Sequence, residues 1–331
     1  MITVSVIIPF FQRKPGILRR ALLSIVQQRL SPGIVVEVIV VDDGSPIPTQ
    51  PETEGLTFSH PFHLTIIPQA NAGVAMARNT GLKAVDKLTT YIAFLDSDDS
   101  WHAGHLTQGI DSMEQGYDFY FCDHARDGHH LSYFASCSGL LAQKIQDAPL
   151  DSLIPLNREE ASTVILRDFA TQASTTLYRY SMARELLFDT SMKHAGEDTI
   201  FFMNLAAKMR HVCFSPRLMV TCGGGINMYF SNLRWDSEGY FRCLVDGLRA
   251  RLLIKATVKL SRENMRWNNA CIARFRRNFV FHILRHAIHS KGDVPSVLKR
   301  LACDDKWFYA WFTAYAFQVV IGRLLGLYKP F

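Results

Sequence analysis

Short apolar runs and stretches of helical spacing alternate through the first 125 residues. The apolar runs predict five strands, at Thr3–Pro9, Val35–Val41, His63–Pro68, Tyr91–Leu95 and Tyr117–Cys122. Apolar residues recur every three to four positions between them, and this spacing predicts helices near Pro15–Gln28, from Val74 onward and over Ala103–Gln115. Strands that alternate with helices in this way indicate βαβ units. The pattern therefore predicts an α/β fold with a mostly parallel central sheet.

The hydrophobic pattern is less regular in the second half of the chain, and over residues 123–171 it predicts few elements of secondary structure. Ala173–Tyr178 predicts one more strand, beside the sheet. A strong helix is predicted to begin at Glu197, because apolar residues then follow at helical spacing. Residues beyond 248 show the same spacing, with basic side chains on the opposite face, and predict a helical C-terminal extension.

Composition adds a charge asymmetry to this picture. The net charge is +6, but residues 249–300 alone carry 13 Lys and Arg against two acidic residues. Nucleic acid is one partner of a basic segment, but no recognition motif accompanies this one, and we expect no nucleic-acid binding. The seven cysteines are scattered without a C-x-x-C pair, which favours reduced thiols in the cytoplasm. The N-terminal apolar run indicates a first strand rather than a signal peptide.

The last apolar stretch, Trp307–Tyr328, could either span a membrane or lie on its surface. Its 22 residues approach spanning length. Aromatic clustering and the internal Arg323 favour a helix lying in the interface, and the neighbouring basic helices would attract an anionic membrane. We therefore expect peripheral association with the inner face of the cell membrane. The alternative is that the basic residues form a solvated face, while 307–328 closes the core or a dimer interface.

Three carboxylates, Asp96, Asp98 and Asp99, directly follow the fourth predicted strand. In an open α/β sheet, ligands bind in the crevice at the carboxyl ends of the strands. Carboxylates crowded there repel one another unless a cation neutralises them, and oxygen ligands suit Mg²⁺ or Mn²⁺ completed by substrate phosphates. The hypothesis is a metal–diphosphate site at Asp96 and Asp98. The alternative is an ordinary turn, in which Asp and Ser serve as caps.

Polar loops also follow the first two predicted strands, after Pro9 and after Val41. Asp42 or Asp43 offers acceptors for a uracil or a ribose hydroxyl, and Arg78 suits a phosphate or could orient a carboxylate of the metal site. A turn and a surface salt bridge are the alternatives for these residues. The chain has neither G-x-G-x-x-G after its first strand nor a P-loop motif, which removes the main support for those nucleotide-binding classes.

Five motifs in order resemble family 2 glycosyltransferases of the GT-A fold, a Rossmann-like α/β architecture. They are Val4–Pro9, Val38–Ser45, Asn71–Leu82, Ala93–Trp101 and Gly196–Asp198. Two further stretches, Phe10–Arg13 and Asp42–Pro46, look like bacterial exopolysaccharide enzymes of the succinoglycan type.

The resemblance implies an inverting, metal-dependent transfer of a sugar from a nucleotide donor, here glucose from UDP-glucose. The expected acceptor is an oligosaccharide or a sugar on a polyprenyl diphosphate, in keeping with the membrane association expected of the C-terminal segment. Asp98 corresponds to the usual direct ligand of Mn²⁺ or Mg²⁺, with Asp96 beside it. The implied donor-binding residues are Pro9, Phe11, Arg13, Asp42, Asp43, Asn71, Gly73, Arg78, Asp96, Ser97, Arg234 and Trp235. The implied parts are a donor half (1–125), an acceptor half with the base (126–230) and a C-terminal helical region (231–331).

Glu197 and Asp198 are the candidate catalytic pair. At the start of a helix, free amides and the helix dipole keep a carboxylate ionised. Inverting transfer needs such a carboxylate to take the proton of the acceptor hydroxyl. Resemblance and placement together assign Asp198 as the base, with Glu197 orienting it or the acceptor. The alternative is a purely structural acidic cap.

A mobile lid is predicted at 223–236, with Arg234 on the diphosphate and Trp235 stacking on the sugar or, equally, serving as a core aromatic. Processive relatives carry Q-x-x-R-W at about this place, and Ser231 replaces the Gln here, which argues against a processive enzyme. Two other functions stay open from the sequence. They are a catalytically silent nucleotide- or glycan-binding subunit and a sugar nucleotidyltransferase, which the Glu197–Asp198 helix disfavours.

Overall fold

The computed structural model describes residues 1–128, 131–149, 152–224, 237–289, 299, 301–303, 305 and 307–325. Two compact units make up the chain. The first consists of Met1–Ser191 and Glu197–Ile226, and the second of Met192–Gly196 and Asn227–Phe331. Arg234, Trp235 and the greater part of the predicted lid lie outside the described residues.

The first unit contains nine strands and eight α-helices among its described residues. The strands are β1 Ile2–Phe10, β2 Ile34–Asp42, β3 Phe62–Pro68, β4 Tyr91–Phe94, β5 Ser100–Trp101, β6 Phe119–Arg126, β7 Ile154–Leu156, β8 Thr176–Arg179 and β9 Val212–Cys222. The helices are α1 Ile17–Val26, α2 Thr49–Thr53, α3 Val74–Ala84, α4 His105–Glu114, α5 Tyr133–Ser136, α6 Leu140–Gln146, α7 Arg158–Arg167 and α8 Glu197–Lys208.

All nine strands form one sheet, in the order β3-β2-β1-β4-β8-β6-β9-β5, with β7 on β9. β3, β2, β1 and β4 are parallel, and so are β6 and β9. β8 lies antiparallel between β4 and β6. Phe10 pairs with Asp42, and Asp42 pairs with Pro68, so the first three strands end side by side. The predicted α/β fold with a mostly parallel sheet is confirmed.

The close packing of α3 on β1 depends on Gly81. An added Cβ at this position would lie 2.4 Å from Cγ2 of Ile7 in β1. Only a residue without a Cβ allows this approach, and Ile7 is fully buried beneath the helix. The contact fixes α3 against the sheet, and Arg78 lies one turn before it on the same helix.

Several elements differ from the sequence prediction. Residues 173–175 form a 3-10 turn, and only the following residues, 176–179, are a strand. The short helix α2, Thr49–Thr53, was not predicted. β5, β7, β9 and α5–α7 were not predicted at all. β9 contains Pro216, which is unusual inside a strand, and the ladder between β6 and β9 shifts register near there, after Cys122.

The second unit contains three long helices among its described residues: α9 Glu238–Thr257, α10 Arg262–His289 and α11 Phe308–Leu324. α10 packs on both α9 and α11. Aromatic and aliphatic side chains form the core, among them Phe241, Leu248, Phe279, Phe308 and Trp311. No helix of the described part of the chain combines the length and the apolar character needed to cross a bilayer.

Candidate active site

The side chain of Arg78 joins the two acidic segments that the sequence singled out. Its Nη2 donates to Oδ1 of Asp96 at 2.7 Å, and its Nη1 donates to Oε1 of Glu197 at 3.4 Å. The Arg78 side chain is only 5% exposed. Burial alone would lower the pKa of Arg78, but the charges of Asp96 and Glu197 outweigh it and raise that pKa. The segment after β4 and the first turn of α8 therefore meet at one buried guanidinium.

Phe188 lies beneath this guanidinium and ties α3 to the segment that precedes α8. The centre of the guanidinium is 5.2 Å from the centroid of the Phe188 ring. Asn79 donates to the backbone oxygen of Phe188 at 2.9 Å and accepts from its N–H at 2.8 Å. The Phe188 ring stacks on Phe201 of α8 at 3.9 Å. Arg78 and Asn79 are neighbours in the motif, and together they fix α8 relative to α3.

Asp99 is the buried member of the acidic cluster. Its Oδ2 accepts from Oγ of Ser174 at 2.6 Å and from Nε2 of Gln172 at 2.9 Å, and its Oδ1 accepts from the N–H of Gly223 at 2.9 Å. Burial, followed by the negative charges of Asp96 and Asp98, raises the pKa of Asp99 to about 7. Asp99 therefore links the turn after β4 to the end of β9, in a site that carries excess negative charge.

At the start of α8, Glu197 is a second carboxyl group of the site with a raised pKa. Burial and the charge of Asp198 raise the pKa of Glu197 to about 7, while Arg78 acts in the opposite direction. Asp198 lies in the first turn of α8, as predicted. Its Oδ1 accepts from the N–H of the neighbouring Thr199 at 2.6 Å. Both carboxylates of the pair are half-buried, but they have different partners, since Glu197 contacts the Arg78 guanidinium and Asp198 accepts from the N–H of Thr199.

Hydrogen bonds connect the loops that follow β1, β2 and β4. Gln12 donates through Nε2 to Oγ of Ser97 at 3.1 Å, and its backbone N–H donates to Oγ of Ser45 at 3.0 Å. The N–H of Ser45 donates to Oδ1 of Asp42 at 2.8 Å. Gln12 was not predicted, because a single polar residue after a strand carries no distinguishing sequence signal. It brings three strand-end loops to one place.

Asp42 and Asp43, which the sequence could not tell apart, have different surroundings. The Asp43 carboxylate is buried and accepts from Nε2 of Gln69 at 2.7 Å and from the N–H groups of Ala72 and Gly73 at 2.8 and 2.9 Å. These bonds hold the loop that leads into α3. Asp42 is half-buried. Of the two, Asp42 is the one whose side chain reaches solvent at the strand end.

A cavity of about 280 Å³ lies beside Asp98 and is lined by Pro15, Gly16, Ile17, Arg20, Asp98 and Gly224. The Arg20 guanidinium donates to the backbone oxygen of Asp98 and pairs with Asp127 at 3.2 Å. Arg20 was not predicted either, because the polar face of an amphipathic helix gives no hint of which arginine reaches the site.

Comparison with known proteins shows the family to which the chain belongs. The sequence profile described as "Glycosyl transferase family 2" matches residues 5–170. The succinoglycan biosynthesis protein ExoW of Rhizobium meliloti (strain 1021) is 31% identical over 233 residues, which cover 70% of this chain and 72% of ExoW. The chain belongs to glycosyltransferase family 2. The predicted family is confirmed, and the protein is a glycosyltransferase.

Two solved structures show that the family's GT-A fold is present as well. S. aureus TarS 1-349 in complex with UDP-GlcNAc superposes with a TM-score of 0.58 at 18% identity, over 86% of this chain and 72% of TarS 1-349. The mannosyltransferase PcManGT from Pyrobaculum calidifontis, in complex with GDP-Man and Mn²⁺, gives a TM-score of 0.55 at 15% identity, over 97% of this chain and 86% of PcManGT. The GT-A prediction is therefore confirmed.

The remaining predicted donor-binding residues that the structure describes lie around the strand-end loops of the glycosyltransferase. Pro9 is buried in β1, Phe11 is half-buried just after it, and Arg13 is exposed. Asn71 is exposed and donates through Nδ2 to the backbone oxygen of Asp43 at 2.9 Å.

The acidic cluster suits a divalent cation by its chemistry. The described residues contain no group of three or more His, Cys, Asp or Glu side chains that could hold a metal ion by themselves. Asp96 and Asp98 are both half-buried carboxylates, and their charge helps to raise the pKa of Asp99. Two carboxylates fit a cation that takes its other ligands from water and a phosphate group.

Proposed function

We propose that this enzyme transfers a hexose from a UDP-sugar to a hydroxyl of an oligosaccharide, with inversion and one sugar per acceptor. The proposed donor is UDP-glucose, and the proposed acceptor is a lipid-linked chain in bacterial exopolysaccharide assembly. The observation that carries this proposal is the bridge from Asp96 through Arg78 to Glu197, because it brings the donor-side and acceptor-side carboxylates into one site. Support for the pathway comes from ExoW, a succinoglycan biosynthesis protein.

The donor is proposed to bind in the half formed by residues 1–125, across the ends of β1, β2 and β4. Asp42 is proposed to accept hydrogen bonds from the uracil or the ribose. The carboxylate of Asp43 already accepts hydrogen bonds from the loop before α3. The TarS complex with UDP-GlcNAc supports the uridine nucleotide. Arg234 and Trp235 remain proposed diphosphate and sugar contacts on the strength of the sequence alone.

Asp98 and Asp96 are the residues proposed to hold Mn²⁺ or Mg²⁺. The cation supplies positive charge that stabilises the departing diphosphate. The PcManGT complex, which contains Mn²⁺, supports the use of a divalent cation. Arg78 holds Asp96 in place, and the network around Asp99 holds the turn that carries Asp98.

Asp198 is the proposed base, within the acceptor half at 126–230. Its carboxylate takes the proton of the acceptor hydroxyl as the hydroxyl oxygen bonds to the anomeric carbon. The bond from that carbon to the diphosphate oxygen breaks in the same displacement, and UDP leaves with the electron pair. Glu197 is proposed to orient Asp198 and the acceptor, since the Arg78 contact fixes its own position.

The second unit, which includes the whole region 231–331, is proposed to bring the enzyme to the cytoplasmic face of an anionic membrane. Three large apolar side chains of α11 are largely exposed, Tyr309 at 74%, Phe317 at 69% and Leu324 at 80%. Exposed basic residues of the same unit, such as Lys255 and Lys259, supply the complementary charge.

Release of the nucleoside diphosphate, UDP from UDP-glucose, UDP-galactose and UDP-GlcNAc and GDP from GDP-mannose, is measured with Mn²⁺ and tests the reaction. We expect UDP-glucose to be turned over fastest. We expect Asp198→Asn to bind UDP normally but to lose turnover by about 10²–10⁴-fold. Asp189→Asn, nine residues earlier, is the matched control and should leave turnover unchanged. Binding of UDP without release from any donor would instead indicate a silent nucleotide-binding subunit, and full turnover by Asp198→Asn would remove the base assignment.

A further inference from the structure

Asp246 of α9 is a buried carboxylate that contacts Arg249 of its own helix at 3.7 Å and accepts hydrogen bonds from one short loop. Its Oδ2 accepts from the N–H groups of Lys193 and His194, both at 3.0 Å, and lies 3.1 Å from Nδ1 of His194. The residue is only 2% exposed. Burial alone would raise the pKa of Asp246, but the hydrogen bonds from His194 and Lys193 outweigh it and hold that pKa below its ordinary range. The carboxylate is therefore ionised and bound to the loop.

The same face of α9 contacts this loop at two further positions. Sγ of Cys243 lies 3.6 Å from the backbone oxygen of His194. Gly196 has φ +91°, and an added Cβ there would lie 2.6 Å from Cβ of Ala250. Positions 243, 246 and 250 share one helix face, since they are three and four residues apart. The loop, residues 192–196, belongs to the second unit together with α9.

The next two residues of the chain after Gly196 are Glu197 and Asp198. We propose that Asp246 is a positioning residue for catalysis, because it fixes the loop from which the catalytic pair begins. This rests on the proposed function, in which Asp198 is the base. The loop is covalently joined to Glu197, so a shift of its backbone moves the start of α8. Displacement of a catalytic group by about 1 Å lowers turnover up to about a hundredfold.

The matched pair Asp246→Ala and Asp305→Ala tests the proposal in the full chain. Asp305 is also a buried carboxylate of the second unit, and it accepts from Nε1 of Trp311 at 2.7 Å and from the N–H of Trp307 at 3.0 Å. It therefore reproduces the loss of a buried carboxylate without touching the loop. We expect Asp246→Ala to lower kcat about ten- to a hundredfold. The Kd for UDP with Mn²⁺ should stay within about twofold, since no donor contact changes.

Amide hydrogen exchange of peptides covering 192–199 gives a second readout, which does not depend on the reaction. We expect about tenfold faster exchange in Asp246→Ala and unchanged exchange there in Asp305→Ala. Gly196→Ala should reproduce both the faster exchange and the loss of kcat. Unchanged exchange at 192–199 in Asp246→Ala overturns the proposal, and so does an equal loss of kcat in Asp305→Ala. If the wild-type chain released no UDP, the proposed function would fail, while the exchange data would still decide whether Asp246 holds the loop.

Discussion

Replacing Arg78 is the sharpest perturbation of the site, since one side chain holds both acidic segments. Arg78→Ala removes contacts at 2.7 Å to Asp96 and 3.4 Å to Glu197 and leaves their carboxylates without this partner. Breaking a buried ion pair from one side costs about 3–5 kcal/mol. We expect that loss in the free energy of unfolding. Arg78→Lys should lose less, because an ammonium keeps the charge but cannot span both carboxylates as a planar guanidinium does.

Urea unfolding at pH 7.5 measures the stability, and UDP release from UDP-glucose measures the activity. Arg179→Ala is the matched control. Arg179 pairs with Asp118 at 3.3 Å and lies 5.3 Å over the ring of Tyr91, so it makes the same kinds of contact. We expect the control to lose about 1–2 kcal/mol of stability and no turnover. The reasoning would be refuted if the Arg78→Ala variant unfolded at the wild-type urea midpoint and released UDP at a rate within twofold of wild type.

Three further predictions concern separate parts of the chain. Because the pKa of Asp99 is raised to about 7, the folded state takes up a proton more readily than the unfolded chain, so stability should fall as pH rises from about 4 to about 7. A rise of about three pKa units corresponds to at most about 4 kcal/mol, and urea midpoints in EDTA should depend less on pH in Asp99→Asn than in wild type. Asp43→Ala should lower the free energy of unfolding by about 2–4 kcal/mol, because three donors lose their acceptor, and an unchanged urea midpoint would contradict that role. Phe317→Ser with Leu324→Ser should weaken binding to anionic vesicles in a sedimentation assay without changing turnover in detergent, and equal binding would exclude α11 as the membrane contact.

The sequence predicted the parts of the fold that are encoded locally. The apolar runs at β1 and β2 are long and rich in β-branched residues, and the run at β4 is short but fully buried. Each was placed to within one or two residues of its observed bounds. The acidic and polar motifs follow these strands directly, so the topology of a parallel sheet brings them to one edge. This is why Asp96 and Asp98 were predicted as neighbours of the loops after β1 and β2.

Contacts between distant segments could not be predicted in the same way. Glu52, in a stretch that resembles a loop, is buried and accepts from the N–H groups of Gly16 and Arg19 at the start of α1. Nothing in its neighbours distinguishes it from a solvated acid. The roles of Asp43 and Asp99 depend likewise on donors from residues 69–73 and from Gln172, Ser174 and Gly223, so only the folded chain shows them.

The charge balance of the site yields a last prediction, on the order in which ligands bind. Asp99 and Glu197 both have pKa values raised to about 7, so the site carries more negative charge above that pH than below it. A diphosphate brought to the same place adds more negative charge, and it is repelled unless a cation accompanies it. We therefore expect UDP to bind at least about tenfold more weakly in EDTA than in Mn²⁺ at pH 8, by calorimetry. The difference in UDP affinity between EDTA and Mn²⁺ should be smaller at pH 6, where the carboxyl groups of Asp99 and Glu197 are largely protonated. Equal UDP affinity with and without Mn²⁺ at pH 8 would show that the chain neutralises the diphosphate with its own side chains.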